Sequence, residues 1–199
     1  EEDKATREGR WQVTLGEGLH GKTLGVIGLG RLGSQVAVVG KTFGMEVIAW
    51  SQNLTRERAD EIGATLVTKD QLLARSDYVT IHLVLSDRTR GLLGTSELSS
   101  MKSTAYLINT SRGPIVDEDA LVDAIQSGAI AGAGLDVFDQ EPLAANHPLR
   151  NLDNTVITPH MGYVTVETYK IFYGHALENV QAFLDGAPIR TINEPRNAR

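Results

Sequence analysis

The sequence predicts an α/β fold: a doubly wound parallel sheet with helices on both faces. Three observations predict it. Short apolar runs alternate with helix-length segments along the chain, the pattern of successive βαβ units. The strand candidates are apolar throughout rather than alternating, as strands covered on both faces must be. The first of them runs into the turn Gly28-Leu29-Gly30-Arg31-Leu32-Gly33 at the start of a helix.

The elements follow in order. Residues Glu1 to Arg10 are charged and read as a solvated helix or a ragged end, and glycines at 16, 18 and 21 punctuate a loop. Leu24 to Gly28 is a buried strand. Leu32 to Phe43 is a helix with Leu32, Val36, Val39 and Phe43 near one face, and Gly44 terminates it. Val47 to Trp50 is the second strand, Thr55 to Ile62 a helix, and Leu66 to Val67 a brief strand. Lys69 to Arg75 is helical, Tyr78 to Leu83 β-rich, and Thr95 to Met101 a short helix. Ala105 to Asn109 is a strand. Asp117 to Ser127 is an amphipathic helix that Gly128 stops. Strands at Gly134 to Phe138 and Thr155 to Thr158 close the set. Val164 to Leu184 is a long helix, and the residues after Ile192 are polar.

Composition narrows the function. The 199 residues are 41% hydrophobic and 22% charged, a globular balance. The formal charge of -6 and a pI near 5.4 offer no basic face, so nucleic acid is a poor partner. Without cysteine there is neither disulfide nor thiolate chemistry, and a cytoplasmic location fits. No apolar run reaches the roughly 18 residues a membrane span needs. No metal site is expected.

The glycine turn makes the sheet Rossmann-type. Each glycine has its own reason. Gly28 permits the tight turn, Gly30 lets backbone approach a pyrophosphate, and Gly33 lets the helix lie close to the strand. The free N–H groups around Arg31 and Leu32 then face the phosphates. An acid at the end of the second strand usually binds the adenosine ribose. Here Ser51-Gln52-Asn53 stands at that place, with Arg56 and Arg58 just beyond. The cofactor is therefore NAD or NADP.

Reactive residues follow three later strands. Thr110-Ser111-Arg112 follows one, Asp136 to Glu141 the next, and Thr158-Pro159-His160 the last. Open α/β sheets place their ligands at these carboxyl ends. Arg112 suits a carboxylate, which its planar guanidinium clamps. His160 suits the proton of a carbinol oxidised by hydride loss. Glu141 suits the orientation of that imidazole and the support of its cation.

These stretches resemble the D-isomer-specific 2-hydroxyacid dehydrogenases, oxidoreductases that include D-3-phosphoglycerate dehydrogenases and glyoxylate/hydroxypyruvate reductases. The likeness runs through Gly21 to Gly33, Asn109 to Gly113, Gly134 to Phe138 with Glu141-Pro142, and Thr158 to His160. It implies Arg112 as substrate clamp, Glu141 as histidine partner and His160 as acid/base. It further implies that Asp136 holds the nicotinamide carboxamide, and that Thr110, His160 and Gly162 lie beside the cofactor. The substrate is then a 2-hydroxy acid or 2-oxo acid, and the assembly a homodimer built through the nucleotide domain.

Three departures stand out: Ser51 for the usual Asp, Val84 for a frequent Pro, and Met161-Gly162-Tyr163 where smaller residues are usual. Glu141 also differs from the Gln of formate dehydrogenases, which argues against formate. The resemblance divides the chain into a lead-in segment and linker at 1–22, an NAD(P)-binding domain at 23–163, and a C-terminal helix and tail at 164–199. Most of the substrate domain is then absent, and the chain reads as a fragment. A dinucleotide-sensing, corepressor-like interaction protein is the alternative, since such proteins keep the same fold and the same Arg, Glu and His.

Overall fold

Parallel pairing organises the chain. The computed structural model describes residues 2–192. Among them, seven strands form one sheet: β1 (Thr23–Ile27), β2 (Glu46–Trp50), β3 (Thr65–Leu66), β4 (Tyr78–Ile81), β5 (Tyr106–Asn109), β6 (Gly132–Leu135) and β7 (Thr155–Ile157). Their spatial order is β3-β2-β1-β4-β5-β6-β7, and every pair is parallel. The helices are α1 (Glu2–Arg7), α2 (Arg31–Thr42), α3 (Arg56–Ile62), α4 (Lys69–Arg75), α5 (Thr95–Ser99), α6 (Glu118–Gln126) and α7 (Val166–Leu184). Strand order reverses between β1 and β4, the switch point at which such sheets open a ligand crevice.

Side-chain alternation along the strands divides the core between the two faces. Leu24, Val26, Val47 and Ala49 join Ala37 of α2 and Ala59 of α3. Ile27, Ile48, Val79 and Ile81 join Leu72 and Leu73 of α4, Leu98 of α5 and Leu121 of α6. Helices thus cover both faces, as the unbroken apolar strands required.

Most bounds fall within two residues of expectation, and β6 and α2 show the instructive differences. β6 begins and ends earlier than Gly134 to Phe138. Its partner β5 sets the register, Tyr106 to Asn109 pairing with Gly132 to Leu135. The chain leaves the ladder after Asp136 donates its N–H to the Asn109 carbonyl. Val137 and Phe138 are buried, so their apolar character marks core rather than strand.

In α2, Val36 alone of the expected apolar stripe packs against the core. Leu32, Val39 and Phe43 are exposed, whereas Gly33, Ser34, Ala37 and Gly40 are buried. Close approach to the sheet selects for small side chains: a Cβ on Gly33 would lie 2.0 Å from the Gly28 carbonyl oxygen. Two 3-10 turns, Gly113–Ile115 and Pro148–Asn151, were not foreseen.

The chain divides into two compact units, one ending at Pro159 and the other beginning at His160. In the second, the Thr165 hydroxyl caps α7 by accepting the Thr168 N–H. Tyr163 lies 6.1 Å from Phe172, ring centroid to centroid, in a stacked pair.

A half-buried carboxylate joins the start of β1 to Lys102. Asp77 accepts the Thr23 N–H at 2.7 Å and the Lys102 ammonium at 2.9 Å. Burial pulls this carboxyl's pKa upward, but those two donors outweigh it and hold the group below its ordinary 3.8. A depressed folded-state pKa gives stability that is present above the unfolded value and lost as pH falls through the folded one. We therefore expect Asp77→Asn to cost about 1–2 kcal/mol in urea unfolding at neutral pH. The difference from wild type should close below about pH 4. A gap unchanged in acid would show that the charge plays no part.

Candidate cofactor and active site

Strand register builds the site. Ile27 pairs with Trp50 and with Ile81, Ile81 with Asn109, Asn109 with Leu135, and Leu135 with Ile157. The residues one step further therefore form a row along the carboxyl edge: Ser51, Gly28, His82, Thr110, Asp136 and Thr158. Four of these, Gly28, Ser51, Thr110 and Asp136, are residues the sequence assigned to the cofactor.

The glycine turn separates what the fold needs from what a ligand needs. Gly28 has φ +99, and a Cβ there would lie 2.7 Å from the His82 carbonyl oxygen. Gly33 is constrained by Gly28 itself, as above. At Gly30 an added Cβ meets no protein atom within 4 Å. The fold makes no demand for glycine at 30, so close approach of a ligand is what a side chain there would obstruct. Gly30 is the N-cap of α2, no side chain caps it, and the first turn carries no acid. Exposed N–H groups with no competing carboxylate suit a pyrophosphate. Arg31 and Leu32 are exposed at the same helix start.

At the ribose end, Ser51 is half-buried and its carbonyl accepts the Leu54 N–H at 3.1 Å. Arg58 is already engaged, with Glu61 at 2.7 Å and the Ser34 hydroxyl at 3.4 Å. Arg56 is exposed.

On the other side of the switch point, a cavity of about 500 Å³ is lined by Leu32, Gln35, His82, Leu83, Thr110 and Arg112, among others. That volume lies within the range of small-molecule sites. Buried Asn109 shapes the loop that carries Arg112. Its amide donates to the Arg112 carbonyl at 3.0 Å, and its side-chain oxygen accepts the Ser111 N–H at 3.0 Å. The Ser111 hydroxyl donates to the Leu83 carbonyl, joining this loop to the end of β4. His82, beside it, bonds the Thr80 hydroxyl at 2.9 Å through Nε2. Burial pushes its pKa below the ordinary 6.5, so it lines the cavity as a neutral ring. His82 and Asn109 were not singled out as site residues in the sequence. Their signal was their place in the strand-end row and at the last position of β5.

Asp136 is buried and accepts the Thr158 hydroxyl at 2.5 Å. The Glu141 carboxylate accepts the Phe138 N–H at 3.0 Å. The segments bearing Arg112 and Glu141 touch directly: a Cβ on Gly113 would lie 2.0 Å from the Phe138 carbonyl carbon. The first unit thus brings together the glycine turn, Ser51, Thr110, Arg112, Asp136 and Glu141. His160 and Gly162 belong to the second unit. His160 has φ +53, in the left-handed region few non-glycine residues adopt. Its ring meets that of Tyr163 edge-on, with centroids 6.1 Å apart.

Comparison with known proteins agrees with this geometry. Residues 1–162 match the family described as D-isomer specific 2-hydroxyacid dehydrogenase, NAD binding domain. A glyoxylate reductase of Aeropyrum pernix is 47% identical over 203 residues, covering 97% of this chain and 61% of that protein. The crystal structure of a putative D-3-phosphoglycerate dehydrogenase from Ralstonia solanacearum superposes with a TM-score of 0.89 at 35% identity, over 96% of this chain and 60% of that one. A D-lactate dehydrogenase from Aquifex aeolicus, solved with NAD and lactic acid, gives a TM-score of 0.81 at 34% identity, over 93% and 61%. The chain therefore spans about three-fifths of the length of these relatives. It belongs to the D-isomer-specific 2-hydroxyacid dehydrogenases, within their NAD-binding domain family.

Proposed function

We propose that this chain is the cofactor-binding part of an oxidoreductase that transfers hydride between NAD or NADP and a D-2-hydroxy acid/2-oxo acid pair. The observation that carries the reading is the carboxyl-edge row, with an uncapped helix start and free space at Gly30 beside it. In this reading most of the substrate domain lies outside the chain, whose organisation is linker at 1–22, nucleotide domain at 23–163 and C-terminal helix from 164. The enzyme is cytoplasmic.

A bound nicotinamide supplies the hydride donor or acceptor. The residues of the chain do the rest. The turn from Gly28 to Gly33 holds the pyrophosphate on main-chain N–H groups. Ser51 bonds the adenosine ribose, and Thr110, Asp136 and Gly162 position the nicotinamide end. Arg112 binds the substrate carboxylate and fixes which face is presented. His160 accepts the hydroxyl proton on oxidation and returns it to the carbonyl oxygen on reduction, with Glu141 supporting its cationic form. Turnover of glyoxylate, hydroxypyruvate or 3-phosphohydroxypyruvate by the full-length protein tests the reading. Dinucleotide binding without turnover of any 2-oxo acid would favour a sensing, corepressor-like role instead.

A homodimer is part of the same proposal. Val38 and Val39 of α2, and Phe43 just after it, are each more than half exposed, an apolar surface that a second copy would cover.

Cofactor choice follows from the neutral end of β2. No carboxylate stands there to repel a 2′-phosphate; Arg58 is paired with Glu61, while Arg56 is exposed. The expected result is weak discrimination, both cofactors binding within roughly 30-fold, or about 2 kcal/mol. Ser51→Asp should shift preference toward NAD by charge repulsion. Calorimetric affinities for both cofactors on both proteins check this. Wild-type preference for NAD beyond about a thousandfold, equivalent to roughly 4 kcal/mol, would overturn the role given to Ser51.

A further inference from the structure

One carboxylate near the site takes no part in the proposed reaction, yet holds the segment that carries Glu141. Glu118 opens α6. One of its oxygens accepts the Asp139 N–H at 3.0 Å, and the other faces His147 Nε2 at 3.1 Å. Both side chains are only 19% exposed, although the bond to the Asp139 N–H lies at the surface. His147 is itself fixed. Its Nδ1 accepts the N–H of buried Leu149 at 3.3 Å. That bond leaves the ring proton on Nε2, aimed at Glu118.

The chemistry of the two partners explains the residue type. Both present N–H donors, so the group between them must offer two acceptors. A carboxylate presents an acceptor oxygen to each, whereas a carboxamide has one oxygen and turns a donor NH₂ toward the other. Helix capping does not explain it: Asp117 already caps α6 by accepting the Ala120 N–H at 3.0 Å. The loop after Glu141 has a second tie besides His147. Arg150 separately binds the Leu143 and Ala144 carbonyls, each at 2.8 Å.

Asp139 lies between Asp136 and Glu141. Its main chain packs closely against Gly113, where a Cβ would lie 2.5 Å from the Asp139 nitrogen. Gly113 follows Arg112. A displacement of Asp139 would therefore alter the placement of Glu141 relative to Arg112. We propose that Glu118 and His147 are positioning residues: a carboxylate–imidazole clamp on the Asp139 N–H that sets Glu141 against the Arg112 loop. This rests on the assignment of Arg112 and Glu141 to the reaction.

Steady-state kinetics on the full-length enzyme with glyoxylate test it, alongside cofactor affinity and thermal unfolding. Glu118→Gln leaves one N–H facing an amide NH₂. It should lower kcat about tenfold, as small misplacements of reacting groups do, with NAD affinity within about twofold of wild type. Two histidine variants separate positioning from mere stability. His147→Asn keeps an acceptor near the place of Nδ1 but withdraws the donor from Glu118. His147→Gln keeps a donor near the place of Nε2. The first should lose kcat as Glu118→Gln does, and the second should retain about half or more. Amide exchange across residues 137–141 should quicken in Glu118→Gln and His147→Asn alone.

Unchanged kcat in both of those variants, with only a lowered Tm, would overturn the clamp as a positioning device. So would equal losses in His147→Asn and His147→Gln. Should Glu118→Gln fail to fold, the two histidine variants decide. His160→Ala run in parallel keeps the two claims apart. If it stays active, the reading of the site fails. If it is silent while the clamp variants keep full kcat, only this inference fails.

Discussion

Replacing His160 with alanine is expected to lower kcat by ~10²–10⁴-fold in the full-length enzyme, with cofactor affinity nearly unchanged. The loss is large because no neighbouring group is assigned to take over the proton of the carbinol. Arg112 offers only N–H donors, and His82 is committed to the Thr80 hydroxyl and kept neutral by burial. The backbone complicates the alanine variant. His160 has φ +53, and alanine has no side chain with which to ease that conformation. Asparagine tolerates the left-handed region better and cannot serve as a base. His160→Asn should therefore be as inactive as His160→Ala while unfolding closer to the wild-type temperature. Near-normal turnover in either variant, measured by NADH oxidation with glyoxylate, would remove His160 from the reaction.

Most of the fold was legible because its signals are local. Largely apolar strand segments such as Leu24 to Gly28 and Ala105 to Asn109, separated by helix-length segments, specify βαβ units without any long-range information. The placement of the candidate site residues was legible for a related reason. A parallel sheet brings its strand ends to one edge, so residues just after strands become neighbours whatever lies between them. Gly28, Ser51, Thr110 and Asp136 fall in that row.

What was missed depended on pairing or on packing distance. The bounds of β6 came from its ladder with β5, and Val137-Phe138 imitated strand because buried loop and buried strand share a composition. The inner face of α2 was hidden because glycine, serine and alanine give a weak apolar signal, although they alone permit the close approach of helix to sheet. The Glu118 clamp joins residues that are 21 positions apart at Asp139 and further still at His147. Neither has a spacing that a helix or a strand would enforce.

The glycine turn allows a result as large as that at His160, but on binding alone. Gly30→Asp is expected to reduce dinucleotide affinity at least a hundredfold, roughly 3 kcal/mol, and to leave thermal unfolding close to wild type. Stability should hold because the added Cβ meets no protein atom within 4 Å. The backbone at Gly30, φ -79 and ψ -157, is also extended rather than left-handed. A carboxylate at the N-cap can even favour the helix by accepting an N–H of its first turn. That same bond consumes a donor meant for the pyrophosphate and sets a negative charge against it. The contrasting variant is Gly33→Ala, whose methyl would collide with the Gly28 carbonyl oxygen at 2.0 Å. It should unfold at a lower temperature and lose binding only as a consequence of that strain. Calorimetric titration with NAD, paired with thermal unfolding of both variants, separates the two effects. If Gly30→Asp bound NAD within a few-fold of wild type, the anion would not sit at the start of α2, and the assignment of this turn to the pyrophosphate would have to be abandoned.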